Sequence, residues 1–273
     1  LIKKLPRGVV FGVGGYVAAP AMVAGKLAGW KITLHEQNTV PGIVNRMLAS
    51  HCDRVFVTYE STQSYWSGVP SMVTGLPLRK ELVEAFDRRP PRRDNTPPFV
   101  LLIGGSQGAR KMVEYGMQAF QRLHENGIAY RALIQTGDRN YEWASSLPQP
   151  EGVTITPFID DMAGVYQEAD LVISRAGSGS LAEIALWGLP SILIPYPYAS
   201  ENHQVVNARV FAEAGAADVI EEKDLHQEGF VQSLSTLLTH PEERLAKGRQ
   251  AATLSRREAA QVIAKELLQL LPD

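Results

Sequence analysis

Apolar runs of three to five residues recur along this chain, each followed by a small-residue turn and then a helical period of about 3.6. Val9-Val10-Phe11, Ile32-Thr33-Leu34, Arg54 to Val57 and Ser71-Met72-Val73 read as short strands in the first third. The first is expected to be buried. Helical patterns follow the first strand to about Gly29 and run from about Pro41 to Ala49, with the proline in the first turn. From Phe99 the alternation restarts, with strands at 99–103, 130–135, 153–156, 171–173, 191–194 and 217–220. Helical patterns lie between them at 110–126, near Tyr141, to Glu168 from a start at Ile159-Asp160-Asp161-Met162, from Ser180 to Trp187, and from Asn202 to Ala214. Two more helices are expected at the C-terminal end. Strands alternating with helices predict parallel sheets covered on both faces. The fold class is therefore α/β, with two doubly wound Rossmann-like domains, the first incomplete.

Between the two series the texture changes. The segment DRRPPRRDNTPP, 87–98, carries four prolines, four arginines and no large apolar residue, as an exposed linker does. The expected division is a partial first domain over 1–86, a linker over 87–98 and a second domain over 99–255. The final helix, 256–273, is expected to pack back on the first domain.

Composition narrows the partners. With 27 Lys and Arg against 29 Asp and Glu, the 273-residue chain has a formal charge of −2, so no basic surplus points to nucleic acid. One cysteine, Cys52, excludes an internal disulfide framework. No apolar run reaches the roughly 18 residues that span a bilayer. The chain opens Leu-Ile-Lys-Lys-Leu-Pro without a methionine and reaches a strand by Val9, which suggests a sequence entered in its middle.

Candidate chemistry concentrates at strand ends. After Leu171-Val172-Ile173 comes Arg175-Ala176-Gly177-Ser178-Gly179, then a helix stopped by Gly188-Leu189-Pro190. A small-residue loop between a strand's C-end and a helix N-end is where an α/β sheet binds ligands, and free N–H groups there favour phosphate. Glu183, about one turn into that helix, would repel phosphate but suits a pair of sugar hydroxyls. The stretch suggests a nucleotide-sugar site. Gly104-Gly105-Ser106-Gln107-Gly108-Ala109-Arg110 is a second such turn; it matches neither the P-loop nor the dinucleotide pattern, so a diphosphate contact and a plain tight turn stay equally open. Gly12-Val13-Gly14-Gly15-Tyr16 makes a similar turn in the first domain. His35-Glu36-Gln37-Asn38 ends a strand, and there catalysis competes with helix capping by Asn38 or Thr39. Glu201-Asn202-His203-Gln204 follows another strand and suits a hydroxyl-rich ligand. Asp160-Asp161 reads as helix capping rather than as metal ligands.

With these residues assembled, the sequence resembles the MurG family, the N-acetylglucosaminyltransferases that make lipid II. The carriers are GVGGYVAAP at 12–20, HEQNTVPGIVNR at 35–46, GLPLR at 75–79, GGSQGAR at 104–110, FIDDM at 158–162, SRAGSGSLAEIALWGLP at 174–190 and NHQVVNA at 202–208. The resemblance implies a glycosyltransferase B fold and inverting transfer from UDP-GlcNAc to lipid I, with no metal and no cofactor. By position, Ser106 with Gly104, Gly105, Gln107 and Gly108 would face the diphosphate, and Ile159 would contact uracil. Ser178, Gly179, Ser180, Leu181, Ala182 and Glu183 would hold the nucleotide sugar, with Glu183 on the ribose hydroxyls. Gln204, beside Asn202 and His203, would contact GlcNAc, and Arg79 would reach the nucleotide. Asn38, with Gly14, Gly15 and Tyr16, would lie near the sugar and the acceptor phosphates. The lipid acceptor implies a peripheral position on the cytoplasmic face of the bacterial plasma membrane.

The family also begins with a GGTGGH-type loop whose histidine is a candidate catalytic residue, and nothing before Leu1 supplies it. The catalytic base is therefore unassigned, and UDP-GlcNAc binding is expected to survive better than turnover. The alternatives are another UDP-sugar enzyme of this fold, such as a 2-epimerase, or a non-catalytic nucleotide-sugar-binding remnant.

Overall fold

The computed structural model describes residues 6–90, 97–104 and 109–271. The chain divides into two compact units, after Leu78 and again after Ser255, with the segment from Arg256 belonging to the first. The first division falls ahead of the Pro/Arg-rich segment expected to separate the domains. The reason is a helix that the strand–turn reading passed over, α3 (Lys80–Arg88). It buries Leu82, and Phe86 meets the ring of Trp187 edge-on at 5.5 Å, both within the second unit.

In the first unit, β1 (Val9–Gly12), β2 (Lys31–Glu36), β3 (Arg54–Val57) and β4 (Ser71–Val73) form a parallel sheet in sequence order. Its core gathers Met22, Ile32, Leu34, Val55, Val57 and Trp66. β1 was expected to be buried, but Phe11 is exposed and both valines are half-buried. Helix α1 (Ala18–Leu27) follows β1. Helix α2 spans Ile43–Ala49 with Gly42 as its cap residue, so Pro41 precedes the helix rather than opening it. The C-terminal helix α11 (Ala259–Gln269) lies in this unit, where Glu266 pairs with Arg54.

One turn of this unit depends on glycine. Gly75 has φ +80°, and a Cβ there would lie 2.2 Å from the Cβ of Arg256. Positive φ and a side-chain stem leave no relaxed place for a methyl group. Gly75→Ala is expected to cost about 1–3 kcal/mol, read as a lower urea midpoint; an unchanged midpoint would show that the turn shifts freely.

The second unit holds a six-stranded parallel sheet in the order β10-β9-β8-β5-β6-β7. The strands are β5 (Phe99–Ile103), β6 (Arg131–Gln135), β7 (Val153–Thr156), β8 (Leu171–Ser174), β9 (Ser191–Leu193) and β10 (Ala217–Val219). β5, β8 and β9 are buried along their whole length, as expected of a parallel sheet covered on both faces. Helices α4 (Arg110–Glu125), α5 (Asp138–Ser145), α6 (Met162–Glu168), α7 (Ser178–Trp187) and α8 (His203–Glu213) connect the strands. The C-terminal part holds three helices rather than two, because His240-Pro241 separates α9 (Glu228–Thr239) from α10 (Pro241–Thr253). Pro241 takes the first helical position, where its missing N–H costs nothing.

The strand order positions the site. From β5 the chain runs outward through β6 and β7, then returns to the other side of β5 as β8. Neighbouring strands whose connections leave in opposite directions open a crevice at their carboxyl ends. Ile103 pairs with Ser174 as the last residues of β5 and β8, so the two strands end side by side at the crevice.

Candidate functional site

Helix α7 begins at Ser178, two residues earlier than its apolar period suggests, with Gly177 as the cap residue and no side-chain cap. The N–H groups of its first turn therefore have no side-chain acceptor from the cap residue, and the helix's positive end lies at the crevice. A Cβ added at Gly177 or Gly179 would meet nothing within 4 Å. The glycines here keep the approach to the backbone open. At the other end Gly188, φ 60°, closes the helix in the left-handed conformation, as the sequence predicts.

Glu183 is five residues beyond Ser178, so it lies ~7.5 Å along the helix at 1.5 Å per residue. Its Oε2 accepts a 2.9 Å hydrogen bond from the hydroxyl of Tyr166, and its Oε1 lies 3.7 Å from the Arg79 guanidinium. Burial pushes its carboxyl up from the usual range, opposed by the Tyr166 hydrogen bond and by Arg79. Tyr166 is 1% exposed. Burial, followed by the Glu183 charge, pushes its hydroxyl well above the ordinary value. It therefore stays protonated and donates. Trp187, on the same helix as Glu183, stacks on Tyr166 at 6.3 Å and 28°.

The loop before α7 was expected to lack large side chains, yet Arg175 is in it, and buried. Its guanidinium folds back under the loop, donating to the carbonyls of Ile194 (3.1 Å) and Pro195 (3.2 Å) and pairing with Glu222. Lys111 lies 3.5 Å from the same carboxylate. Arg175 thus ties the end of β8 to the end of β9, and it also lies 5.4 Å from the Tyr196 ring centroid. The Tyr196 N–H donates to Gln204 Oε1 at 2.9 Å, which fixes one end of the Gln204 amide. Fully buried Asn207 on α8 donates to the Ala176 carbonyl at 3.2 Å. Arg175 and Asn207 therefore hold the Gln204 loop beside the α7 turn.

Glu201 and Asn202 have φ of 52° and 56°, the two positive values among the described non-glycine residues. Such backbone costs of order 1–3 kcal/mol per residue and clusters at ligand sites. Asn202 occupies the cap position of α8 without a side-chain cap bond, and His203 Nδ1 contacts the Ser200 carbonyl at 2.8 Å. Ile159, half-buried, precedes α6, while Phe158 is exposed. Asp161 caps α6 by accepting from the Gly164 N–H at 2.9 Å, as expected. Gly104 is buried at the end of β5; Gly105, Ser106, Gln107 and Gly108 lie outside the described residues.

In the first unit, Gln37 Nε2 donates to the Val13 carbonyl at 2.6 Å, which joins the 12–16 turn to the end of β2. Gly14 and Gly15 have φ of 89° and 76°, and Tyr16 is exposed. Glu36 is 1% exposed and fully engaged. Its Oε1 accepts from the Asn38 N–H (2.9 Å), and its Oε2 from the Gly42 N–H (3.0 Å) and from Asn45 Nδ2 (2.7 Å). It is the framework of the 36–42 loop, and Gly42, the cap residue of α2, makes no side-chain cap bond. His35 Nε2 lies 2.9 Å from the Gly75 carbonyl, and burial pushes the imidazole down. All four residues of the HEQN set have hydrogen-bond partners within the unit.

Residue-by-residue reading missed Tyr166, Arg175, Glu222, Glu36 as a framework and Asn45. A charged residue two positions past the apolar run Leu171-Val172-Ile173 was a usable signal for Arg175. Nothing in the sequence marks Tyr166, an aromatic at an ordinary core position of α6.

A parallel α/β sheet with an open helix N-terminus at its switch point, and a carboxylate further along that helix, is a frame that suits a nucleotide-sugar ligand. Residues 99–265 match the glycosyltransferase family 28 C-terminal domain and residues 1–57 its N-terminal domain. The chain is 38% identical, over 97% of its length and 75% of the relative's, to the UDP-N-acetylglucosamine--N-acetylmuramyl-(pentapeptide) pyrophosphoryl-undecaprenol N-acetylglucosamine transferase of Crocosphaera subtropica. The enzyme of the same name from Desulforamulus reducens is 39% identical over 100% of the chain and 76% of its own length. The crystal structure of Acinetobacter baumannii MurG superposes with a TM-score of 0.81 at 27% identity, covering 98% of this chain and 75% of that one. The chain belongs to the MurG family of glycosyltransferases, with the glycosyltransferase B fold.

Proposed function

We propose that the reaction is the one its relatives are named for. N-acetylglucosamine passes from UDP-GlcNAc to lipid I, undecaprenyl-pyrophosphoryl-MurNAc-pentapeptide, giving lipid II for peptidoglycan. The observation that carries this reading in the molecule is the β8–α7 turn. An uncapped helix N-terminus suits a diphosphate, and Glu183, beyond it on the same helix, suits a ribose diol.

In this reading the 4-hydroxyl of MurNAc attacks the anomeric carbon of GlcNAc and the bond to the UDP oxygen breaks with inversion. A general base takes the hydroxyl proton. The N–H groups and dipole of α7, with the Gly104 turn and Ser106, stabilise the departing diphosphate without a metal. The Ile159 backbone holds uracil, Glu183 the ribose hydroxyls, Gln204 the GlcNAc hydroxyls, and Arg79 the nucleotide side. Residues Ser178 to Ala182 line the nucleotide sugar, with Asn202 and His203 next to Gln204. Asn38 and the Gly14–Tyr16 turn serve the acceptor side. Glu36 is a poor candidate for the base, because both its oxygens already accept hydrogen bonds, and His35 is buried with its Nε2 on the Gly75 carbonyl. The undecaprenyl chain of the acceptor requires work at a membrane surface, on its cytoplasmic side. Among the described residues no helix is long and apolar enough to cross one, which suits peripheral attachment.

The test is UDP release with a lipid I analogue, followed by NMR of the new glycosidic bond. A β-linkage and a rate unchanged by EDTA are expected. An α-linkage would overturn inversion, and loss of rate in EDTA that Mg²⁺ restores would overturn the metal-free mechanism. Failure to bind UDP-GlcNAc in calorimetry would remove the assignment itself.

A further inference from the structure

The second unit contains one buried phenol that meets a site carboxylate. Tyr166 is 1% exposed and donates at 2.9 Å to Glu183 Oε2. Its ring is held by the stack with Trp187, and Trp187 is held in turn by the edge of Phe86 at 5.5 Å. The phenol therefore has little freedom. A protonated hydroxyl in a fixed place takes one lone pair of Oε2 and sets the rotation of the carboxylate. The other group at Glu183 is Arg79, 3.7 Å from Oε1, with a side chain 64% exposed. An exposed, long side chain at that distance orients weakly.

We infer that Tyr166 is a positioning residue for the nucleotide. It aims the Glu183 carboxylate so that its remaining lone pairs accept from the ribose 2′- and 3′-hydroxyls, and it thereby sets the preference for a ribonucleotide over a 2′-deoxyribonucleotide. The inference rests on the reading of Glu183 as the ribose-binding group. A ribose diol is recognised best by a carboxylate in one orientation, since both hydroxyls donate in a shared plane. A carboxylate free to rotate loses that match without losing its charge.

The experiment uses the complete chain, with UDP and 2′-deoxy-UDP as probes in calorimetry. Wild type is expected to prefer UDP. In Tyr166→Phe the ring and its packing stay, only the hydroxyl goes, and UDP affinity is expected to fall about tenfold, the scale of one charge-assisted hydrogen bond. Affinity for 2′-deoxy-UDP is expected to fall less, so the preference shrinks. In a Glu183→Gln background the same substitution is expected to leave that preference unchanged. A merely structural role would weaken both nucleotides equally in both backgrounds, and that result overturns the inference. So does a preference in Tyr166→Phe that matches wild type. If wild type itself binds the two nucleotides equally, the ribose reading of Glu183 fails and the inference falls with it.

Discussion

Glu183→Ala weakens UDP-GlcNAc binding about 100-fold, the loss expected when two hydrogen bonds to a charged acceptor disappear. Calorimetry measures it, and binding within threefold of wild type would remove Glu183 from the site. The alanine also leaves the buried Tyr166 hydroxyl without its acceptor, so the fold is expected to lose stability as well. Glu183→Gln separates the two effects. It keeps an acceptor for Tyr166 and removes a charge that burial disfavours. Because burial raises the Glu183 pKa, the folded protein binds this proton more tightly than the unfolded chain does. The associated stability is present at pH below the unfolded value and is lost as pH rises through the raised folded value. At neutral pH the ionised carboxylate is therefore a stability cost, and Glu183→Gln is expected to raise the thermal midpoint while it weakens nucleotide binding. The stability gap between the variant and wild type should widen as pH rises through the folded pKa. Wild-type affinity for UDP-GlcNAc moves the opposite way, falling in acid as the acceptor is protonated. A variant less stable than wild type at neutral pH would contradict this account. A site that is strained for binding and relaxed by its own neutralisation is an expected form of the trade between stability and activity.

Arg175→Ala is expected to cost about 3–5 kcal/mol, the usual loss when one member of a buried ion pair is removed. The Glu222 carboxylate, 9% exposed, would keep only Lys111 at 3.5 Å. The carbonyls of Ile194 and Pro195 would lose their donors. Urea denaturation gives the number, and a loss under about 1 kcal/mol would show the pair to be dispensable. Arg175→Lys should recover little, because one ammonium cannot serve two carbonyls and a carboxylate with the guanidinium's fixed geometry. The joint change to Arg175→Met and Glu222→Met should recover much of the loss, since no unpaired charge remains buried. In that variant the Tyr196–Gln204 segment loses its tether. Affinity for UDP-GlcNAc is expected to fall even where stability returns.

These two residues show how much of the site the sequence displays. Glu183 is a legible candidate because two features of one short segment combine: a small-residue turn after an apolar strand, and a carboxylate on the helix that follows. Local spacing alone puts the charge beyond the phosphate-favouring end. Gln204 stands out as a candidate for a similar reason, as an amide just past another strand. The HEQN set was only half legible. A strand end marks it as a loop at the ligand edge, but nothing in the order of residues says that Glu36 turns inward to hold the backbone of Asn38 and Gly42. Arg175 was read as part of an open loop because flexible side chains leave no trace of their direction in a sequence. Helix α3 was missed because one turn-rich neighbour on each side obscured nine residues, of which Leu82 is buried and Phe86 meets Trp187 on α7.

The sequence by itself determined the parallel α/β architecture, the two series of strands, the turn at Gly177 and the family. Each of these is written in local periodicity or in an ordered set of motifs, so neighbours along the chain suffice to read it. Only the tertiary structure decided that β8 returns beside β5 with Ser174 paired to Ile103, that the unit boundary precedes α3, and that Tyr166, Arg175 and Asn207 hold the groups at the crevice. Those are contacts between residues 17 to 47 positions apart. Such contacts depend on how helices settle on a sheet, and packing, unlike periodicity, leaves its partners unnamed in the order of the chain.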